Sequence, residues 1–202
     1  MILGLYGDEK LTKDVNKILK YDFGFKTIGL KDLAKRFCET LFDFKIQNLW
    51  NEKNPNEEDK RYPRHNKTPE YLTSEYALDS LMGWGNECYD SIWADYAVNI
   101  AKALVEESSF DDVASYSKIR GLEYKQLGHY KKINHVCITE LKSISDIKKL
   151  KENNVITVLL KSNNDIKYSN MATEFDYVLD CGDQNVALEV KKMIEALYEI
   201  KN

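Results

Sequence analysis

The residues that follow the first apolar run have the types and the spacing of a phosphate-binding turn. Gly7 and Lys13 stand as far apart as the first glycine and the lysine of the pattern Gly-x-x-x-x-Gly-Lys-[Ser/Thr]. In that pattern backbone N–H groups wrap the phosphates, the lysine meets their charge, and the hydroxyl helps to hold magnesium. Thr12 replaces the second glycine and Asp14 replaces the hydroxyl residue. An ordinary turn between a strand and a helix, with a solvated lysine, is the alternative interpretation.

Thr12 bears directly on how such a turn could work. Glycine lets the backbone approach a phosphate without a Cβ, and it adopts dihedral angles that a β-branched residue reaches only with strain. The sequence therefore predicts that either the turn has changed shape or a triphosphate binds to it poorly.

The elements that position this turn are those of an alternating α/β domain. Residues 2–6 form a short apolar run ended by Gly7, which predicts a buried strand, and helical spacing follows it. A second strand at 25–28 and a second helix across 30–42 repeat that order. The C-terminal part continues it, with strands predicted at 135–141, 155–160 and 175–179 and helices at 144–150 and 186–200. This alternation favours a parallel sheet.

The centre of the chain is polar first and helical afterwards. Residues 51–69 contain all three prolines and almost no apolar side chain, so they predict a long loop of the kind that is usually functional or mobile. Helical periodicity covers most of 70–128, with a break predicted across 83–85, where two glycines flank a tryptophan. At 202 residues, a single domain spanning 1–202 is the expected organisation.

Composition argues against several classes of protein. The net charge of −4 does not suit general binding to nucleic acid, which requires a basic surface. No stretch reaches the roughly 18 apolar residues of a membrane span, and the N-terminus has no signal-peptide pattern, so a cytoplasmic protein without a membrane partner is predicted. The four cysteines include no C-x-x-C pair and are expected to be reduced thiols rather than metal ligands.

Several short segments, in order along nearly the whole chain, carry a family resemblance. Lys13-Asp14 stands where most phosphate loops have Lys-Ser or Lys-Thr, and residues 81–87 read Leu-Met-Gly-Trp-Gly-Asn-Glu. Residues 136–142 read Val-Cys-Ile-Thr-Glu-Leu-Lys, and further matching segments lie at 42–60, 92–93, 145–146 and 176–179. Together they resemble the deoxynucleoside monophosphate kinase family, best known from bacteriophages and related to other P-loop monophosphate kinases.

The resemblance implies a fold, an activity and a set of site residues. The fold is a P-loop nucleotide-kinase-like three-layer sandwich with a central, mainly parallel sheet. The activity is ATP-dependent phosphoryl transfer to a deoxynucleoside monophosphate, with ATP and Mg²⁺ as cofactors and, for a viral protein, the host cytoplasm as its location. The residues implied are a nucleotide-binding group of Gly7, Thr12, Lys13, Asp14 and Trp84, a catalytic group of Lys13, Lys142 and Arg120, and magnesium positions at Asp14 and Glu140. Arg61 or Arg64 would add charge at the acceptor.

The residues available for phosphoryl transfer lead to two hypotheses about activity. Phosphoryl transfer depends on fixed positive charge around the moving group, yet no arginine occurs between Arg64 and Arg120, and lysine lacks the planar fork that grips phosphate. The first hypothesis is a deoxynucleoside monophosphate kinase-like enzyme with its activity in doubt. The second is a catalytically inactive kinase-fold protein that binds a protein partner or senses nucleotides. An unrelated α/β domain is a third reading, and a homodimer is left open.

Overall fold

The computed structural model of the chain describes residues 1–50, 53–105, 135–161, 171–182 and 185–199. Contacts between residues divide the chain into two compact units, one made of Met1–Gly29 and Ala94–Asn202 and the other of Leu30–Trp93. We call these the first and the second unit. The expectation of a single domain stays a prediction.

Strands and helices alternate in the first unit as the sequence predicts. Its elements are β1 (Ile2–Gly7), α1 (Glu9–Asp22), β2 (Lys26–Gly29), most of α5 (Ile92–Val105), β5 (Val136–Thr139), α6 (Ile144–Glu152), β6 (Ile156–Lys161), β7 (Tyr177–Asp180) and α7 (Val186–Glu199). Capping residues account for two of the helix starts. The Asp8 side chain caps α1, and Ser143 forms a capping box with Asp146 at the start of α6. Within the described ranges, no helix combines the length and the apolar composition needed to cross a membrane.

The five strands form one parallel sheet in the order β2-β5-β1-β6-β7. β1 lies in the middle, with Gly4 paired to Ile138 of β5 on one side and Gly7 paired to Leu160 of β6 on the other. A central parallel sheet flanked by helices agrees with the α/β sandwich that the resemblance implies. The predicted fold class is therefore confirmed, and so are the five strands predicted for this unit.

Helices cover both faces of this sheet. On one face, Leu3 and Leu5 of β1 pack in a buried core with Val15 and Leu19 of α1 and with side chains of α7. Side chains alternate along a strand, so Gly4 faces the other way. There a Cβ would collide with Leu150 of α6, which shows that α6 packs directly on the strand backbone. Glycine at this position lets the helix approach closely.

The second unit combines helices with a hairpin that the sequence analysis missed. It contains α2 (Asp32–Phe42), α3 (Ile46–Leu49), β3 (Glu58–Pro63), β4 (Tyr71–Thr73) and α4 (Ser74–Cys88). β3 and β4 pair antiparallel, so part of the stretch predicted as a long loop at 51–69 is a strand. Side-chain hydrogen bonds hold β3 in place. Tyr62 donates to the carbonyl of Phe42 at 3.0 Å, and Arg61 donates to the carbonyls of Phe42 and Asp43.

The break predicted at 83–85 does not occur, because α4 runs without interruption to Cys88. Gly85 is the residue that explains the pattern. A Cβ there would collide with the indole ring of Trp93, so the glycine makes room for a tryptophan rather than ending a helix. The predicted helical region at 70–128 is seen in α4 and α5, and residues 106–128 lie outside the described part of the chain.

Candidate functional site

The turn between β1 and α1 is much shorter than a phosphate loop. β1 ends at Gly7 and α1 begins at Glu9, so Asp8 alone connects them. Gly7 has a φ of 156°, and a Cβ on it would collide with the carbonyl oxygen of Leu160. The glycine is therefore required by the close approach of the neighbouring strand. Its predicted role in binding nucleotide stays a prediction.

Asp8 occupies the position at the helix N-terminus where an anion would bind. Its carboxylate accepts hydrogen bonds from the backbone N–H groups of Lys10, at 3.0 Å, and Leu11, at 3.1 Å. Unpaired N–H groups in the first turn of a helix are what make this end of a helix a phosphate site. Here the chain's own carboxylate takes two of them. Sequence reasoning missed Asp8, although an aspartate before a helical run is a recognised capping signal.

Thr12 is a helical residue and not part of a loop. Its N–H and its hydroxyl both donate to the carbonyl of Asp8, each at 2.8 Å, and its side chain is buried. The hydrogen bonds of Thr12 close the first turn of α1, which corresponds to the predicted alternative that the turn has changed shape. The role of Thr12 in binding nucleotide stays a prediction.

Lys13 and Asp14 lie on the surface of α1, each in an ion pair along the helix. The Lys13 ammonium is 2.7 Å from Glu9, and its side chain is 57% exposed. Asp14 pairs with Lys17 at 3.3 Å. The structure therefore places the predicted phosphate-binding amine one turn inside a helix, and the roles of both residues toward nucleotide and magnesium stay predictions.

Glu140 and Lys142 follow β5 at the carboxyl edge of the sheet. β5 is the neighbour of β1, so Glu140 and Asp8 follow adjacent strands at the same edge. Glu140 has a φ of 65°, which is unusual for a residue with a side chain. The backbone N–H of Lys142 donates to the carboxylate of Asp146 at 3.2 Å and so belongs to the start of α6. Ligands of α/β proteins bind at this edge, and here it presents carboxylates beside the turn.

Two further features limit the chemistry that the described residues can supply. Within those residues, no group of three or more histidine, cysteine, aspartate or glutamate side chains is arranged to hold a metal ion. Cys181, which follows β7 at the same edge, is buried, and burial together with the charges of Asp180 and Glu189 raises its pKa to about 11. A thiol in that state is protonated near neutral pH and is a poor nucleophile.

The remaining predicted residues lie elsewhere. Trp84, on α4 of the second unit, is 62% exposed. Arg61 is held by Asp59, Asp43 and two carbonyls, and Arg64 lies over the ring of Tyr76 at 3.7 Å from its centroid. Arg120 lies outside the described residues. The structure thus gathers Gly7, Thr12, Lys13 and Asp14 in one turn and helix, with Glu140 and Lys142 beyond the neighbouring strand.

No family model matches the sequence, and no curated protein matches it. Among solved structures, the chain is similar to dephospho-CoA kinase from Campylobacter jejuni, with a TM-score of 0.42 and 10% sequence identity over 100% of this chain and 98% of that chain.

Proposed function

We propose that this chain is a kinase-fold protein that no longer transfers phosphoryl groups and that acts by binding a protein partner. The observation that carries the proposal is the Asp8 carboxylate, which accepts the N–H groups of Lys10 and Leu11. An incoming triphosphate would have to displace this carboxylate and would then lie beside its negative charge. Such a protein corresponds to the second hypothesis from the sequence, a catalytically inactive kinase-fold protein.

The backbone, and not the lysine, is the obstacle to ATP. The ion pair between Lys13 and Glu9 is largely exposed, and such pairs contribute only about 0.5 kcal/mol. Restoring a phosphate-wrapping loop would remove the Asp8 cap, which contributes about 1 kcal/mol, and would also open the turn that Thr12 closes. In such a loop the backbone N–H groups would have to converge on the phosphates, whereas the regular helix here aligns them along its axis.

Exposed apolar side chains in the second unit support a role in protein binding. Those that are both large and exposed are Phe37, Leu41, Ile46, Tyr76, Trp84 and Tyr89. Aromatic residues are enriched in the centres of protein interfaces, where they supply much of the binding energy. Neither the aspartate cap of α1 nor the exposed tryptophan of α4 depends on a bound nucleotide, so both are compatible with an inactive kinase fold.

A phosphoryl-transfer assay tests the loss of activity. Purified protein and its Lys13→Ala variant are incubated with ATP, Mg²⁺ and each deoxynucleoside monophosphate, and diphosphate products are separated and measured. We expect no product above the background without protein, and no difference between the two proteins. Turnover by the unmodified protein that disappears in Lys13→Ala would overturn the proposal and restore the kinase hypothesis.

A partner-binding experiment tests the second part of the proposal, that the chain binds a protein partner. Proteins retained by the tagged chain are compared with those retained by Trp84→Ser and by Lys13→Ala, each variant first shown to be folded by circular dichroism. We expect a partner that Lys13→Ala retains and Trp84→Ser loses. A partner whose binding depends on Lys13 and on added ATP would instead indicate a nucleotide sensor.

A further inference from the structure

The exposed side of α7, in the first unit, carries four side chains that play no part in the proposed function. They are separated by three, four and three residues, which is the spacing of the seam between two helices of a coiled coil. A helix turns by about 100° per residue, so the four fall within about 80° of one another. All four are exposed, whereas the opposite side of α7 packs in the core. We call them the α7 stripe, and it consists of Leu188, Lys191, Glu195 and Tyr198.

The two ends of the α7 stripe are large apolar side chains that reach the solvent. Leu188 is 49% exposed and Tyr198 is 42% exposed. The Tyr198 hydroxyl lies 2.8 Å from Nε2 of His135, in a hydrogen bond that fixes the position of the ring. A side chain that is already fixed loses little conformational entropy when a partner covers it. Burying these two ends would remove apolar surface from water at a low entropic cost.

The two middle residues of the α7 stripe carry opposite charges. The Lys191 ammonium is 3.9 Å from the Glu195 carboxylate, one helical turn away, and both side chains are largely exposed. An exposed pair of this kind stabilises a protein very little, so each charge can turn to a charge on another molecule at small cost. The middle of the stripe is therefore suited to a partner with the same two charges in the opposite order.

A second copy of α7 that runs in the opposite direction is such a partner. With a two-fold axis at the middle of the stripe, Leu188 meets Tyr198 of the second copy, and Lys191 meets Glu195 of the second copy. The symmetry makes each of these contacts twice. Parallel helices would instead set lysine against lysine and glutamate against glutamate, and like charges in contact are unfavourable. The order of the four side chains therefore selects an antiparallel pair.

We infer that the α7 stripe binds the α7 stripe of a second copy of this chain, antiparallel, and so forms a homodimer. The stripe covers about three turns of one helix, which is far less than the interface of a permanent dimer. The dimer is therefore weak and exchanges with the monomer. This inference is independent of the proposed function, because the stripe includes neither the Asp8 turn nor any residue of the second unit.

Sedimentation equilibrium of the intact chain at low salt, from roughly 10 µM to 1 mM, tests the inference. We expect the mean mass to rise with concentration from the 23.5 kDa of the monomer towards twice that value. Leu188→Glu should keep the monomer mass throughout, and because this position is exposed the new charge leaves the core intact. A monomer at every concentration, or a dimer that Leu188→Glu retains and Trp84→Ser loses, would overturn the inference.

Charge exchange tests the antiparallel order. Lys191→Glu sets two carboxylates together in both central contacts and should weaken the dimer by about tenfold or more. The double variant Lys191→Glu/Glu195→Lys restores opposite charges in both contacts and should recover the affinity of the unmodified chain. Lys148→Glu makes the same change of charge on α6, at the other face of the sheet, and should leave the dimer unchanged. A double variant as weak as Lys191→Glu, or equal weakening by Lys148→Glu, would contradict the assignment.

Discussion

The indole ring of Trp93 lies against Gly85, at the place where any other residue would carry a Cβ. Trp93 is buried, and its Nε1 donates to the carbonyl of Met82 at 3.1 Å. Helix α4 supplies both contacts of the ring, the carbonyl of Met82 that accepts the hydrogen bond and the backbone at Gly85. A side chain at position 85 would force a large, fixed ring to move.

We expect Gly85→Ala to lower the free energy of unfolding by about 1–3 kcal/mol, the usual effect of overpacking. Gly83, in the same helix, faces open space, so Gly83→Ala is the matched control and should raise stability by up to about 1 kcal/mol through helix propensity. Urea unfolding of both variants, followed by tryptophan fluorescence, measures the difference. Stabilisation by both alanines would show that the ring does not occupy this position.

Asp176 should make the chain sensitive to acid. Its carboxylate accepts two hydrogen bonds from Thr157, each at 2.8 Å, and pairs with Lys151 at 3.3 Å. Burial alone would raise its pKa, but the bonds from Thr157 and Lys151 outweigh burial and hold the pKa below its usual value. The stabilisation is therefore complete above about pH 4, the unfolded value, and is lost as the pH falls through the lower folded value.

The measurement is the free energy of unfolding as a function of pH for Asp176→Asn and for Asp79→Asn. Asp79 is an exposed carboxylate of α4 and serves as the control. We expect Asp176→Asn to lose less stability in acid than the unmodified chain does. Asp79→Asn should follow the unmodified chain closely. Identical acid profiles for all three proteins would refute the role assigned to Asp176.

Thiol chemistry should distinguish Cys88 from the other cysteines. All four thiols are free, and Cys88 alone among them is exposed. Burial raises the pKa of Cys38 and of Cys137, that of Cys38 to about 11, so these thiols are protonated as well as shielded. Mass spectrometry after maleimide treatment near pH 8 should find one label per folded chain, and none on Cys88→Ser. Rapid labelling of several sites in the folded protein would contradict this burial.

Arg61 should stabilise the second unit through its shape as well as its charge. The guanidinium contacts Asp59 and Asp43 and donates to the last carbonyls of α2, where a positive charge also favours the helix dipole. Arg61→Lys keeps the charge but loses the fork, and we expect it to lower the free energy of unfolding measurably. Lys60→Arg, next to it on the strand, is the control and should have little effect. Equal stability of both variants would contradict this role.

Much of the first unit follows from sequence pattern. The apolar runs at 2–6 and 155–160 are short, uncharged and bounded by turn residues, and such runs form buried parallel strands almost regardless of detail. The hairpin of the second unit was missed because β3 is stabilised by hydrogen bonds from Arg61 and Tyr62 to residues about 20 positions earlier. Hydrogen bonds between residues this far apart in the sequence leave no periodic signal.

The geometry of the candidate site likewise could not be predicted from sequence pattern alone. Spacing alone pairs Gly7 with Lys13 and suggests a loop, but a strand followed by Asp8 is also the start of a capped helix. Which of the two forms depends on the close approach of Leu160 to Gly7 and on the hydrogen bonds of Asp8, and both are settled only by the fold. The fold class was therefore predictable, whereas the geometry of the turn was not.

Calorimetric titration with ATP and Mg²⁺ tests the central claim most directly. The unmodified chain should release no saturable heat at nucleotide concentrations up to roughly 1 mM, because the Asp8 carboxylate already holds the first N–H groups of α1. Binding in the micromolar range that Lys13→Ala abolishes would contradict the account, since it would show that this turn opens to receive the phosphates.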